Sequence, residues 1–132
     1  MELEKLSRNI ESWGKTLGFQ QVGIADIDLQ QAEAHLADWL RNKFHGEMAY
    51  MAHHGSKRAH PEELCPGTLR VITARMEYWP GESAEKLWNL LETPEQAYVS
   101  RYALGRDYHK TLRHRLQQLA TQIETEVGAF GY

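Results

Sequence analysis

The chain has one cysteine, Cys65, in 132 residues. A lone thiol excludes an internal disulfide and cannot supply the four thiolates that a Cys-ligated zinc or iron–sulfur centre needs. Long apolar runs are missing as well. The start, Met1-Glu2-Leu3-Glu4-Lys5, is charged at once, which argues against a signal peptide or membrane anchor and gives the expectation of a cytoplasmic protein with no membrane partner. No G-x-G-x-x-G or G-x-x-x-x-G-K-[ST] pattern supports a dinucleotide or P-loop phosphate site, and G-x-S-x-G and H-E-x-x-H are absent too. There is no internal repeat, linker or low-complexity segment. Nor is there a global basic excess, because the formal net charge is −3.

What is present suits one ordinary globular domain over residues 1–132. Hydrophobic residues make up 42% of the chain, with four Trp and six Tyr. A domain of this length buries roughly two-thirds of its unfolded surface. Mean hydropathy of −0.61 and 25% charged residues describe a normal wet exterior. The charges are nevertheless segregated. Between Glu77 and Ala97 five Glu face only Lys86, whereas between Val99 and Ala120 five Arg and Lys face only Asp107. Acidic and basic segments therefore follow one another.

Hydrophobic spacing sets out the elements. Leu3, Leu6, Ile10, Trp13 and Leu17 fall on one helical stripe, with Gly18 where a left-handed terminal residue belongs. Phe19, Val22, Ile24 and Ala25 read as a buried strand that ends at Asp26, where Asp26 and Asp28 suit a turn or cap. Leu29, Ala32, Leu36, Trp39 and Leu40 predict a second helix to about Phe44. From His45 to Gly67, three glycines, two prolines and four histidines predict loops around short helical turns. A strand is expected over Leu69–Trp79, closed by Pro80-Gly81, and a short helix over Ser83–Leu91. Tyr98, Val99 and Tyr102 predict another strand. After Gly105, Asp107 offers an N-cap to a helix striped by Tyr108, Leu112, Leu116, Leu119, Ile123 and Val127. The fold class is thus α/β or α+β, a small central sheet of three or more strands flanked by helices.

Most candidate chemistry has a structural reading. His53 and His54 are adjacent and diverge, and neither they nor His45 and His60 show metal-ligand spacing. His109 and His114 lie about 140° apart on a helix. No metal site is expected, and His114 reads as a surface residue. Cys65, between Leu64 and Pro66, reads as a small packed thiol. Two clusters carry more. Ser56-Lys57-Arg58-Ala59-His60-Pro61 places cationic and hydrogen-bonding groups together, which would suit a carboxamide-rich or phosphate-bearing ligand, or form a solvated loop. In Ser100-Arg101-Tyr102-Ala103-Leu104-Gly105-Arg106-Asp107-Tyr108-His109-Lys110, rings, hydroxyls, a carboxylate and cations gather at a helix start. Ligands dock at such starts, although Asp107 could merely cap the helix with Tyr102 and Tyr108 in the core. On the helix, Arg106, Lys110 and Arg113 gather roughly opposite the apolar stripe, as a nucleic-acid-binding ridge or as the wet face of an amphipathic helix.

These clusters, in this order, resemble the epoxyqueuosine reductases. The resemblance runs through Gly18-Phe19-Gln20-Gln21-Val22-Gly23-Ile24, His45-Gly46-Glu47-Met48 with Tyr50-Met51, Arg58 and Pro61 with Leu64, Pro66 and Gly67, and Tyr98 to Tyr102 with Gly105 to Lys110. It spans nearly the whole chain. It implies an N-terminal, cobalamin-side domain of an enzyme that reduces the epoxide of epoxyqueuosine, in the anticodon region of tRNA, to the cyclopentene of queuosine. Cobalamin reduces the substrate, two 4Fe–4S clusters feed it, and an aspartic acid protonates the departing oxygen. The electron donor protein is not specified by the resemblance. Arg58 and Ser100 fall where the family contacts cobalamin, and Tyr102, Asp107, Tyr108 and His109 belong to the motif around them. The family's proton-donating Asp, its eight cluster cysteines in a ferredoxin-like domain and its C-terminal region lie downstream of this chain. Its apolar end at Phe130-Gly131-Tyr132 is expected to mark a truncated piece, with no catalytic residue of its own and inactive alone. The alternatives are a non-catalytic module that binds tRNA or a partner, or a packing domain covering one face of the cofactor.

Overall fold

The computed structural model describes residues 2–79 and 81–130. Pro80 of the expected strand-closing turn, and Gly131 and Tyr132 of the apolar end, lie outside the described residues. In chain order the elements are α1 (Leu3–Thr16), β1 (Gln21–Ala25), α2 (Gln30–Arg41), α3 (Pro61–Leu64), β2 (Val71–Arg75), α4 (Ala84–Leu91) and α5 (Tyr108–Val127). Three 3-10 turns, Ala49–Met51, Gly55–Arg58 and Arg101–Ala103, complete them. The fold is a mixture of helices and strand, and β1 and β2 pair antiparallel. The described residues form two compact units, one of 2–22 with 74–79 and 81–129, the other of Gly23–Thr73 with Phe130.

In the first unit, α1 packs against α5. Ile10, Phe19, Val22, Leu87, Leu119, Ala120 and Ile123 form its core. Gly14 is buried on α1, where the close approach of Val22 Cγ2 leaves no room for a Cβ. Gly18 takes the left-handed conformation its position predicts, φ +86°. Ser83 caps α4 by accepting from Lys86 N at 3.3 Å. The stripe of α5 is buried only around Leu119 and Ile123, whereas Tyr108, Leu116 and Val127 are exposed.

In the second unit, α2 is followed by short turns and α3. Trp39 and His45 meet as tilted rings with centroids 5.7 Å apart. Pro61 opens α3 at its first turn, where its missing N–H costs no helical bond. Helix α2 stops at Arg41 rather than Phe44, since Lys43 turns left-handed at φ 57°.

Two strand expectations change. Residues 98–102 form no strand, and Arg101–Ala103 is a 3-10 turn. Arg101 there turns its guanidinium to 4.9 Å from the Tyr98 ring centroid, a pairing that the alternating faces of a strand do not favour for residues three apart. Strand β2 occupies only Val71–Arg75 of the expected Leu69–Trp79. Among the described residues the sheet therefore has two strands, fewer than the three or more that the sequence predicts.

Candidate functional site

The sequence-predicted residues divide between the units, Arg58 in the second and the others in the first. Arg58 ends the Gly55–Arg58 turn, and its Nη2 donates to the Tyr50 carbonyl at 2.8 Å. That bond orients the guanidinium by a neutral acceptor, so its charge stays available. Nearby, Ser56 Oγ donates to Glu63 Oε2 at 3.0 Å. His60 stands between two carboxylates, with Nδ1 3.2 Å from Glu62 Oε1 and Nε2 3.4 Å from Glu33 Oε2. Hydrogen bonding to Glu62 raises the His60 imidazole above its ordinary pKa, with the Glu33 charge adding to it and partial burial opposing. The Glu62 carboxyl is lowered by a backbone hydrogen bond and then by His60.

In the first unit, Ser100 precedes the 3-10 turn and accepts at its carbonyl from Ala103 N, 2.9 Å. Tyr102 meets Tyr108 edge-on, with centroids 5.9 Å apart at 81°. Tyr108 in turn stacks on His109 at 4.0 Å. Both tyrosines are exposed and so do not belong to the core. Asp107 caps α5, its Oδ1 accepting from His109 N at 3.0 Å and lying 3.1 Å from His109 Nδ1. The site is backed by Arg101, whose side chain is only 8% exposed and whose Nη1 is 2.9 Å from Glu82 Oε2. Lys86 Nζ holds the other Glu82 oxygen at 3.0 Å. These cations, Lys86 first, depress the Glu82 pKa against the effect of burial.

Along the start of α5 runs an open groove of about 560 Å³ lined by Arg106, Asp107, Lys110, Thr111, His114 and Arg115. Arg106 and Lys110 of the predicted ridge line it. Arg113 does not, and His114 and Arg115, which sequence reasoning left out, do. Arg115 Nη1 donates to the Gly18 carbonyl at 3.3 Å and contacts Met76 Sδ at 3.0 Å. Spacing offers a partial signal, since Lys110 and His114 are one turn apart. Arg115 has none, because its partner lies 97 residues away. The His60 carboxylate contacts and the Arg101–Glu82 pair were likewise missed. Among the described residues, no group of three or more His, Cys, Asp or Glu side chains is placed to hold a metal ion, and no helix is long and apolar enough to cross a membrane.

The family described as Epoxyqueuosine reductase QueG, DUF1730 matches residues 58–132. The chain belongs to the epoxyqueuosine reductase family. The family match opens at Arg58 and includes every site residue named above from Ser100 to Arg115. Curated relatives agree. The chain is 61% identical over 128 residues to an epoxyqueuosine reductase of Pseudomonas aeruginosa, covering 97% of this chain and 35% of that protein. It is 54% identical over 129 residues to that of Aliivibrio fischeri, covering 98% and 34% respectively. With that of Salmonella typhimurium it shares 53% identity over 132 residues, all of this chain and 34% of the relative. The chain thus spans about a third of the length of these epoxyqueuosine reductases. No solved structure matches it significantly.

Proposed function

We propose that this chain is the cobalamin-side portion of an oxidoreductase of queuosine biosynthesis, which reduces epoxyqueuosine in tRNA to queuosine. The family match across residues 58–132 carries the reading. Net reduction of an epoxide to an alkene takes two electrons and two protons and releases the oxygen as water. Bound cobalamin would supply the electrons at the substrate.

The residues present fit that group. Cobalamin is a broad macrocycle rimmed by carboxamides, so it needs hydrogen-bonding groups beside exposed rings. Ser100, the Tyr102 and Tyr108 hydroxyls and the Asp107–His109 pair offer such groups around two exposed aromatic faces. Arg58 would donate to a carboxamide oxygen from a guanidinium already oriented by the Tyr50 carbonyl. The 4Fe–4S clusters do not fit this chain, because Cys65 is its single thiol. They, the proton-donating Asp, a larger sheet joined to β1 and β2, and the site for an electron donor would belong to residues outside these 132. The chain alone is accordingly expected to be inactive. The place of action would be the cytoplasm, where tRNA is found.

The test has two arms. In the first, the intact gene product is supplied to cells lacking their own reductase, and their tRNA nucleosides are separated. Queuosine should replace epoxyqueuosine, and persistence of the epoxide would sink the enzymatic reading. In the second, this chain is titrated with cob(II)alamin by visible absorption. Weak binding is expected, because a partial pocket leaves much of the ligand in water. Arg58→Ala and Ser100→Ala should each weaken it further. The cations of α5, which have no carboxylate partner among the described residues, favour a second reading, in which this chain alone serves as an RNA-binding module.

A further inference from the structure

We infer that Arg106, Lys110, His114 and Arg115 form a seat for the phosphodiester backbone of RNA, centred on the groove of α5 and not on the outer ridge that includes Arg113. This deepens the tRNA part of the proposed function and rests on it.

Three observations converge. The first is shape. These four side chains line one groove of about 560 Å³, whereas Arg113 stands outside it. From Lys110 to Arg115 the helix advances about 7–8 Å and turns about 140°, so its cations enter the groove at different heights and from different sides. The second is charge. Among the described residues the ion pairs engage Arg8, Arg41, Lys86, Arg101, His60 and His109. None engages Arg106, Lys110 or Arg115, although the whole chain is net acidic. Asp107 is the one carboxylate in the lining, and its Oδ1 is occupied by His109. The third is preorganisation. Arg115 is held by neutral acceptors, the Gly18 carbonyl and Met76 Sδ, so its position is set while its charge is not neutralised.

A string of positive donors along a groove matches an anion that repeats along a chain. A phosphodiester backbone provides one charge per nucleotide, and each neutralised phosphate releases counterions and leaves a signature in salt dependence. A single carboxylate would satisfy only part of the lining. Guanidinium groups in particular suit phosphate oxygens, which they bind through paired N–H bonds.

The probe is a fluorescently labelled anticodon stem-loop RNA, bound by this 132-residue chain and followed by anisotropy at several salt concentrations. Arg106→Ala and Lys110→Ala should each weaken binding several-fold at low salt. Each should also reduce the slope of log K against log salt by about 0.7–0.9, the loss of one phosphate contact. His114→Ala should weaken binding less, and Arg113→Ala should have the smallest effect of the four. Arg8→Ala on α1 serves as a control for net charge and should leave the slope unchanged. Thermal melts of each variant separate loss of binding from loss of fold.

Absence of RNA binding by the wild type, an unchanged slope in Arg106→Ala and Lys110→Ala, or an Arg113→Ala effect equal to theirs would each overturn the seat. Equal displacement by polyglutamate would mark a generic anion groove and overturn it too. The two ideas fail separately. If the intact gene product converts epoxyqueuosine while the groove variants keep the wild-type slope, the seat is wrong and the function stands. If the groove variants lose slope while the epoxide persists in cells, the function is wrong and the seat stands.

Discussion

Arg101 and Glu82, 19 residues apart in sequence, form an ion pair of 2.9 Å, and the Arg101 side chain is almost wholly buried. The pair is asymmetric. Glu82 has a second cation in Lys86, while the Arg101 guanidinium also lies over the Tyr98 ring. Its Nε is buried without a hydrogen-bond partner among the described residues.

Removing the carboxylate should therefore hurt more than removing the guanidinium. Glu82→Ala leaves a buried cation unpaired, whereas Arg101→Met keeps the packed stem and leaves Glu82 paired with Lys86. The expected order of melting temperatures is wild type, then Arg101→Met, then Glu82→Ala. A reversed order by thermal denaturation would show that packing of the arginine stem outweighs its charge.

The His60 cluster gives a pH dependence with a definite sign. The folded pKa of His60 is raised, so its contribution to stability is complete below the ordinary histidine value of about 6.5 and is lost as pH rises through the higher folded value. Glu62 is lowered, so its contribution is present above the ordinary glutamate value of about 4.3 and is lost as pH falls through the lower folded value. The cluster should stabilise most between these two ordinary values. The melting-temperature difference between wild type and His60→Gln, followed from about pH 2 to about pH 9, should peak in that window and shrink towards both ends.

Gly14→Ala should destabilise even though alanine is the better helix former by about 1 kcal/mol. The new methyl overlaps Val22 Cγ2 in the core, and overpacking of this kind costs about 1–3 kcal/mol. A thermal melt should show the drop, and Val22→Ala in the same chain should restore part of it by making room.

Asp107→Ala removes the cap of α5 and should cost about 0.5–2 kcal/mol, while Asp107→Asn, which retains an acceptor for His109 N, should cost less. Hydrogen exchange at His109 and its neighbours would localise the effect. Equal losses for the two variants would mean that the carboxylate charge, and not the cap geometry, supports the helix start.

Helices were the legible part of this chain because their signal is local. The stripe of α1, the Gly18 stop, the Asp107 cap and the long periodicity of α5 all lie within a few turns of the residues that reveal them. The expected strand at residues 98–102 rests on the strand propensity of Tyr98, Val99 and Tyr102, whereas the contacts made there, Arg101 with the Tyr98 ring and with the distant Glu82, are tertiary and carry no local signal. The site was legible in the same uneven way. Asp107, Tyr108, His109 and Lys110 are consecutive and could be grouped by reading. His60 with Glu33, and Arg115 with Gly18, are brought together only by folding.

The contact between Arg115 and Gly18 adds to the burial of Leu119 and Ile123 in holding one orientation of α5. With no side chain on Gly18, the guanidinium lies against the main chain, and an added Cβ would come 2.7 Å from its Nη1. One residue of rotation about the axis of α5 is about 100°, enough to carry Arg115 away from the Gly18 carbonyl. The corner between α1 and β1 thus serves as an index mark for α5, selecting which side of that helix meets the core and which side meets solvent.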